Sequence, residues 1–169
     1  MLDKLGGIKW GLLSIVVIVL DLTSKAYFTS TMDLYQSVAV IEDFFKLNFS
    51  LTLVHNYGAA FSFLADQGGW QRWFFTLFSA LISLALIVWL FRLKASDRLL
   101  AIAISLVLGG AIGNLWDRVT MGYVVDFLDV FIQTSTIEWH WPAFNVADSA
   151  ISIGAVLLIA DALLNKTDA

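Results

Sequence analysis

The chain has 169 residues, of which 59% are hydrophobic and 14% charged, with a formal net charge of −4. A soluble domain runs about 45–50% apolar and about 25% charged, so this composition, with a mean hydropathy of +0.81, excludes an ordinary soluble protein and indicates a membrane protein. The absence of cysteine removes disulfides, thiolate metal sites and cysteine nucleophiles, and with no basic run the acidic chain offers nucleic acid no binding surface.

In chain order, Lys4 and Lys9 precede an apolar stretch that superficially reads as a signal peptide. The stretch is too long for a cleaved h-region, lacks a small-x-small exit, and carries Asp21 and Lys25, so a retained first span is expected at about 8–28. Further spans are expected at about 70–93, 99–116 and 144–164, each near the ~20 residues that cross a bilayer. Trp10, Trp70, Trp73, Trp89, Trp116, Trp139 and Trp141 cluster at the expected interfaces, where amphipathic rings suit the headgroup layer. Lys4, Lys9, Arg92, Lys94, Arg98 and Lys166 fall on one side of the four spans, which the positive-inside rule makes cytoplasmic. Both termini are then inside, and segments 29–69 and 117–143 face out. In the first of these, Phe45, Leu47, Phe49, Leu51 and Leu53 alternate with Lys46, Asn48, Ser50 and Thr52, which predicts a half-buried strand within an outer β-element, its apolar face on the membrane surface or on the helix bundle. Segment 117–143 is read as an outer loop. The whole, 1–169, is expected to be one integral membrane domain, a bundle of four transmembrane helices with a small extracytoplasmic β-element. No internal repeat is evident, which disfavours an inverted-repeat transporter.

Ionisable groups at membrane depth are costly and are usually paired or functional. Asp21 and Lys25 are four apart and share a helix face at the end of span one. In HNYGAAFSF, Gly58, Ala59 and Ala60 permit close backbone approach, and Asn56 offers amide donors and an acceptor to a peptide. Gly110, Asn114 and Asp117 recur on one face of span three, and Arg118 can lock a carboxylate in a bidentate pair. Gly122 turns the chain into VVDF, where Asp126 stands among apolar residues. Asn145, Asp148, Ser149 and Ser152 form a polar face on span four, which must look into the bundle, and Pro142 breaks the chain ahead of it. Two carboxylates holding one water are suited to acid–base peptide hydrolysis. Asp126 and Asp148 fit that role, and spacing alone leaves Asp129 and Glu138 open as well.

Five ordered blocks extend over nearly the whole chain: LDLTSK (20–25), NYGAAFSF (56–63), GGAIGNLWDR (109–118), GYVVDF (122–127) and FNVADS (144–149). With them the chain resembles the bacterial lipoprotein signal peptidases, the signal peptidase II family. The resemblance implies an aspartyl endopeptidase of the inner membrane that cuts prolipoproteins on the N-terminal side of a diacylglyceryl-modified cysteine. It implies a catalytic dyad of Asp126 and Asp148. It further implies substrate-binding roles for Asn56, Gly58, Asn114, Arg118 and Asn145, and supporting roles for Asp21, Lys25 and Asp117. It implies four helices with an outer β-cradle and a short outer helix, no metal or other cofactor, and a monomer whose partners are lipid-modified precursors and membrane lipids. Competing readings fare worse: GYVVDF lacks the Gly-x-Gly of the GxGD proteases, and Ser24 and Lys25 point about 100° apart on a helix. A small transporter or lipid-binding scaffold would need charges at mid-membrane.

Overall fold

The computed structural model describes residues 8–58 and 69–165. Ala59–Phe63 of the second block, and the Lys4 and Lys166 used for orientation, lie outside them. A single 3-10 turn, Ile8–Trp10, leads into α1 (Gly11–Thr31). Strands β1 (Ser37–Phe44) and β2 (Leu47–Asn56) follow, then α2 (Trp70–Arg92) and α3 (Arg98–Thr120), β3 (Val124–Gln133), β4 (Glu138–His140) and α4 (Val146–Asn165). All four α-helices are long and apolar enough to cross a membrane.

The chain divides into two compact units. The first takes its described residues from the segments ending at Leu22, covering Thr76–Trp116 and starting at Val146. It is an inside-out bundle, because a helix facing lipid need not hide its apolar side chains. Leu12, Val16 and Val19 on α1, Leu77, Leu81 and Leu84 on α2, and Ile153, Val156 and Ile159 on α4 are all exposed. α3 is the central helix: 56% of its most apolar window is buried, against 17–22% in the other three. Leu86 and Leu90 of α2 pack with Ala101, Ile104 and Leu108 of α3. Small side chains let the helices close up, as expected in a bilayer, where packing replaces the hydrophobic drive. A β-carbon at Gly110 would overlap the Ala147 carbonyl of α4. Ser14 Oγ of α1 donates to the Ser105 carbonyl of α3 at 2.8 Å.

The second unit, Thr23–Phe75 and Asp117–Asn145, contains the ends of three helices and an antiparallel sheet in the order β1-β2-β3-β4. The expected strand begins at Leu47, not Phe45, because Phe45 and Lys46 take left-handed backbone angles (φ 53° and 69°) and form the β1–β2 turn. The buried Asn48 closes that turn: its side-chain oxygen accepts from Asp43 N at 2.8 Å and its amide donates to the Lys46 carbonyl at 3.2 Å.

Segment 117–143, expected as a loop, instead supplies β3 and β4. Beyond the last turn of α3 it contains no helix, so the short outer helix has no counterpart there. Strand β3, VVDFLDVFIQ, lacks a period-two signal because Val124, Val125, Asp126 and Phe127 are buried in succession, on both faces.

The alternation read in β2 is real, and over Leu47–Leu51 its polar side is the buried one, while Leu53 beyond it is buried. Asn48 and Ser50 are buried, whereas Leu47 is exposed and Phe49 and Leu51 half-buried. Residues directly opposite on neighbouring strands share a face. The register therefore aligns Phe44, Leu47, Ile132 and Trp139 in one row, Ile41, Phe49 and Val130 in a second, and Val38, Leu51 and Leu128 in a third. These three rows are apolar. The other face carries Ala39, Ser50 and Asp129 in one row and Asn48, Phe131 and His140 in another.

Candidate active site

Asp126 stands on β3 opposite Val54 of β2. Its Oδ2 accepts from Asn56 Nδ2 at 3.0 Å, and its Oδ1 from Asn145 Nδ2 at 2.7 Å. The Asn145 amide also donates to the Val125 carbonyl at 3.2 Å. Asn56 is held in turn, since its Oδ1 accepts from Gly58 N at 3.0 Å, which fixes the direction of its amide. The carboxylate is 2% exposed and Asn145 is fully buried. Asn145 reaches this position because Phe144 pairs with Leu128: Phe144 N donates to the Leu128 carbonyl at 3.0 Å, and Leu128 N to the Phe144 carbonyl at 2.8 Å.

Beneath β3 lies a buried ion pair. Lys25 Nζ of α1 is 2.9 Å from Asp117 Oδ2 of α3, with the two side chains 3% and 1% exposed. The same oxygen accepts from Val125 N at 3.2 Å, so the pair grips the strand one residue before Asp126. The Phe127 ring stacks on Phe28 of α1, centroids 4.3 Å apart. Arg118 donates to the Gly58 carbonyl at 3.2 Å and lies over the Phe75 ring.

Arg72, at the start of α2, drew no attention in sequence. Its Nε donates to the Arg118 carbonyl at 3.0 Å and its Nη2 to the Val119 carbonyl at 2.9 Å, so its cation satisfies the open end of α3. The chain then turns at Gly122 (φ 88°), where a β-carbon would press on the Arg72 guanidinium. No local pattern reports such a cap, because donor and acceptors are 46 and 47 residues apart.

Two histidine environments flank the strands. The His55 ring stacks on Tyr123 at 3.9 Å, and burial holds its imidazole below its ordinary value of 6.5. His140 bridges Asp129 (Nδ1 to Oδ1, 2.9 Å) and Glu138 (Nε2 to Oε1, 3.1 Å). Burial opposes its charge, but the hydrogen bonds to Asp129 and then Glu138 outweigh it, and its pKa is raised. Ser50 and Thr52 hydroxyls also donate to Asp129 Oδ2, both at 3.2 Å.

The first unit holds Asp148 in the opening turn of α4, half-buried, where a carboxylate suits the helix dipole. Its Oδ1 accepts from Asn114 Nδ2 of α3 at 2.8 Å. Asp21 of α1 caps the same helix end, accepting from Ala147 N at 2.9 Å. Gly113 makes room for it: a β-carbon there would stand 2.5 Å from Asp21 Oδ2. The structure thus gathers Asn56, Asn145, Gly58, Arg118, Lys25 and Asp117 with Asp126 in the second unit, and Asn114 and Asp21 with Asp148 in the first.

Four membrane-capable helices joined to a small antiparallel sheet, with carboxylates held by amides on β3 and at the start of α4, are the features of a multi-pass membrane protein with a polar site. A solved bacterial membrane enzyme structure, determined in meso at 2.3 Å resolution, matches with a TM-score of 0.77 and 33% identity, covering 94% of this chain and 89% of that one. A family model described as signal peptidase (SPase) II matches residues 13–164. The lipoprotein signal peptidase of Pseudomonas aeruginosa is 51% identical over 97% of this chain and 93% of that relative. That of Pseudomonas syringae pv. tomato is 51% identical over 96% and 90%. The chain belongs to the signal peptidase II family, peptidases of bacterial membranes that remove signal peptides from prolipoproteins.

Proposed function

We propose that Asp126 and Asp148 are the catalytic dyad of this peptidase and that a water held by both is the nucleophile. The observation that carries the reading is the bracing of Asp126, whose two carboxylate oxygens take amide hydrogens from Asn56 and Asn145. A carboxylate oriented to this degree suits proton transfer, which demands a fixed heavy-atom geometry. Asp148, half-buried, is held by the Asn114 amide on its Oδ1.

Two close carboxylates share one proton, so the pair enters the cycle with one acid and one base, and its titration belongs to both groups. The ionised member takes a proton from water as the water oxygen bonds to the scissile carbonyl carbon. The protonated member gives its proton to the carbonyl oxygen, which yields a neutral gem-diol. Collapse breaks the C–N bond: one carboxyl group protonates the departing amine, the other recovers the hydroxyl proton, and one shared proton again remains. Asn56, Asn114, Arg118 and Asn145 orient the peptide or the carboxylates, and Gly58 leaves room for small side chains beside the cut. Lys25, Asp117 and Asp21 position the elements that carry the dyad. The scissile bond lies just before a cysteine bearing diacylglycerol, on the outer side of the membrane, with both chain termini cytoplasmic.

The test is cleavage of a diacylglyceryl-modified precursor by Asp126→Asn and Asp148→Asn. Each is expected to lose about 10²–10⁴-fold or more in rate, the scale of general acid–base catalysis, while melting in detergent like the unaltered protein. Near-normal turnover by either variant ends the assignment. A precursor without the diacylglyceryl group is expected to be cut poorly by the unaltered enzyme.

A further inference from the structure

The closing carbonyls of α3 must find donors outside the helix ladder. That of Asp117 is satisfied locally, by Met121 N at 2.8 Å and Gly122 N at 3.2 Å. The next two, those of Arg118 and Val119, accept from Arg72 of α2, through Nε at 3.0 Å and Nη2 at 2.9 Å. The same guanidinium backs onto Gly122, where a β-carbon would stand 3.1–3.3 Å from Nη1, Cζ and Nε. A run of hydrogen bonds leads from this clamp to Asp126, all within the second unit. The Arg118 side chain donates to the Gly58 carbonyl at 3.2 Å, its guanidinium 5.5 Å from the centre of the Phe75 ring. Gly58 N donates to Asn56 Oδ1 at 3.0 Å, and Asn56 Nδ2 donates to Asp126 Oδ2 at 3.0 Å. A second route is shorter, since Gly122 opens the turn into the strand that carries Asp126.

We propose that Arg72 is a positioning residue of the peptidase. By clamping the end of α3 it fixes the point from which the Arg118 side chain starts, and through Gly58 and Asn56 it sets the direction of the Asp126 carboxylate. This role rests on the assignment of Asp126 to the dyad, and Arg72 itself touches neither substrate nor the reacting atoms. The residue type follows from the task. Successive carbonyls stand about 100° apart around a helix, and two donors of one rigid planar fork can meet both, whereas a lysine ammonium supplies a point charge without that fork. A cation also suits a helix C-terminus, where the dipole is negative. The Trp73 ring, its centre 5.2 Å from Arg72 Cζ, adds a further contact to the guanidinium. Each donor between Arg72 and Asp126 is itself held, so slack at the clamp passes to the carboxylate. A displacement of about 1 Å at a reacting group can cost about 10²-fold in rate, so small slack is measurable.

The test is steady-state cleavage of a diacylglyceryl-modified precursor by the full-length enzyme in detergent. Arg72→Met is expected to lower kcat by about 10–100-fold with KM within about twofold of the parent, because a group that acts only on the reacting geometry lowers kcat and kcat/KM together. In a double-mutant cycle, Arg118→Met is expected to cost at least about threefold less in the Arg72→Met background than in the parent, since members of one hydrogen-bond network are not additive. A parent-like kcat in Arg72→Met, a loss seen in KM alone, or full additivity with Arg118→Met overturns the proposal. If Arg72→Met does not fold, Arg72→Lys carries the same test: a several-fold loss of kcat is expected, and a parent-like kcat overturns it. Asp126→Asn separates this role from the dyad on which it rests. Turnover by Asp126→Asn would sink the dyad, whereas an inactive Asp126→Asn beside a fully active Arg72→Met would sink the role of Arg72 alone.

Discussion

Lys25 and Asp117 form an ion pair with both side chains almost fully buried. Two charges taken out of water this completely are stabilising only while both are present, and removing one partner of such a pair costs about 3–5 kcal/mol. Lys25→Met is therefore expected to lower unfolding stability in detergent by that amount. The double variant Lys25→Met, Asp117→Leu should recover part of the loss but not all, because Val125 N would still lack its acceptor, a penalty of about 1–3 kcal/mol. A Lys25→Met protein that unfolds like the parent would show the pair to be dispensable. Both residues were legible in the sequence as membrane-edge charges, and Lys25 was placed on a face with Asp21. Its ion pair with Asp117 was not legible, since 92 residues of chain separate the two and helix periodicity speaks only of neighbours within a turn or two.

At the level of elements, β4 is the piece with the least to hold it. It has three residues, all exposed, and three register pairs with β3. Its side-chain anchor is His140, bonded to Asp129 and Glu138. A histidine whose pKa is raised on folding contributes stability that is fully present below its ordinary value of 6.5 and is lost as pH rises through the raised value. Replacing His140 with Gln is thus expected to accelerate hydrogen exchange at the Trp141 amide, which donates to the Val130 carbonyl, at pH near 5.5, with the difference from the parent shrinking at pH near 8.5. A difference independent of pH would mean that the ring acts by packing on Phe131 and not by charge. Strand β2 shows how an element can be visible while its orientation is not. Its alternation predicts a strand regardless of environment, but whether the apolar side is buried depends on the medium beyond it. Near a bilayer, polar side chains gain most by turning to partners such as Asp129.

For the whole molecule, hydropathy and the distribution of Lys and Arg give an arrangement that can be read out directly. In a chain without native cysteine, Ser135→Cys in the β3–β4 turn is expected to react with a membrane-impermeant maleimide applied outside spheroplasts, and Ser96→Cys between α2 and α3 only after lysis. The opposite pattern would invert the orientation and move the proposed dyad to the cytoplasmic side. Sequence alone determined that the chain crosses a membrane, since runs of ~20 apolar residues have no other economical fate. Through five short motifs it also determined the family. Tertiary structure decided what the motifs do for one another: that Asn56 and Asn145 converge on Asp126 from 70 and 19 residues away, that Asp21 caps the helix carrying Asp148, and that Arg72 closes α3. It also decided that the stretch after Gly122 is a central strand, buried on both faces where Asp126 stands. The physical reason is common to all of these. Composition and periodicity follow from the solvent around a segment, whereas a hydrogen bond between distant residues follows from register, and register is set only when strands and helices pack.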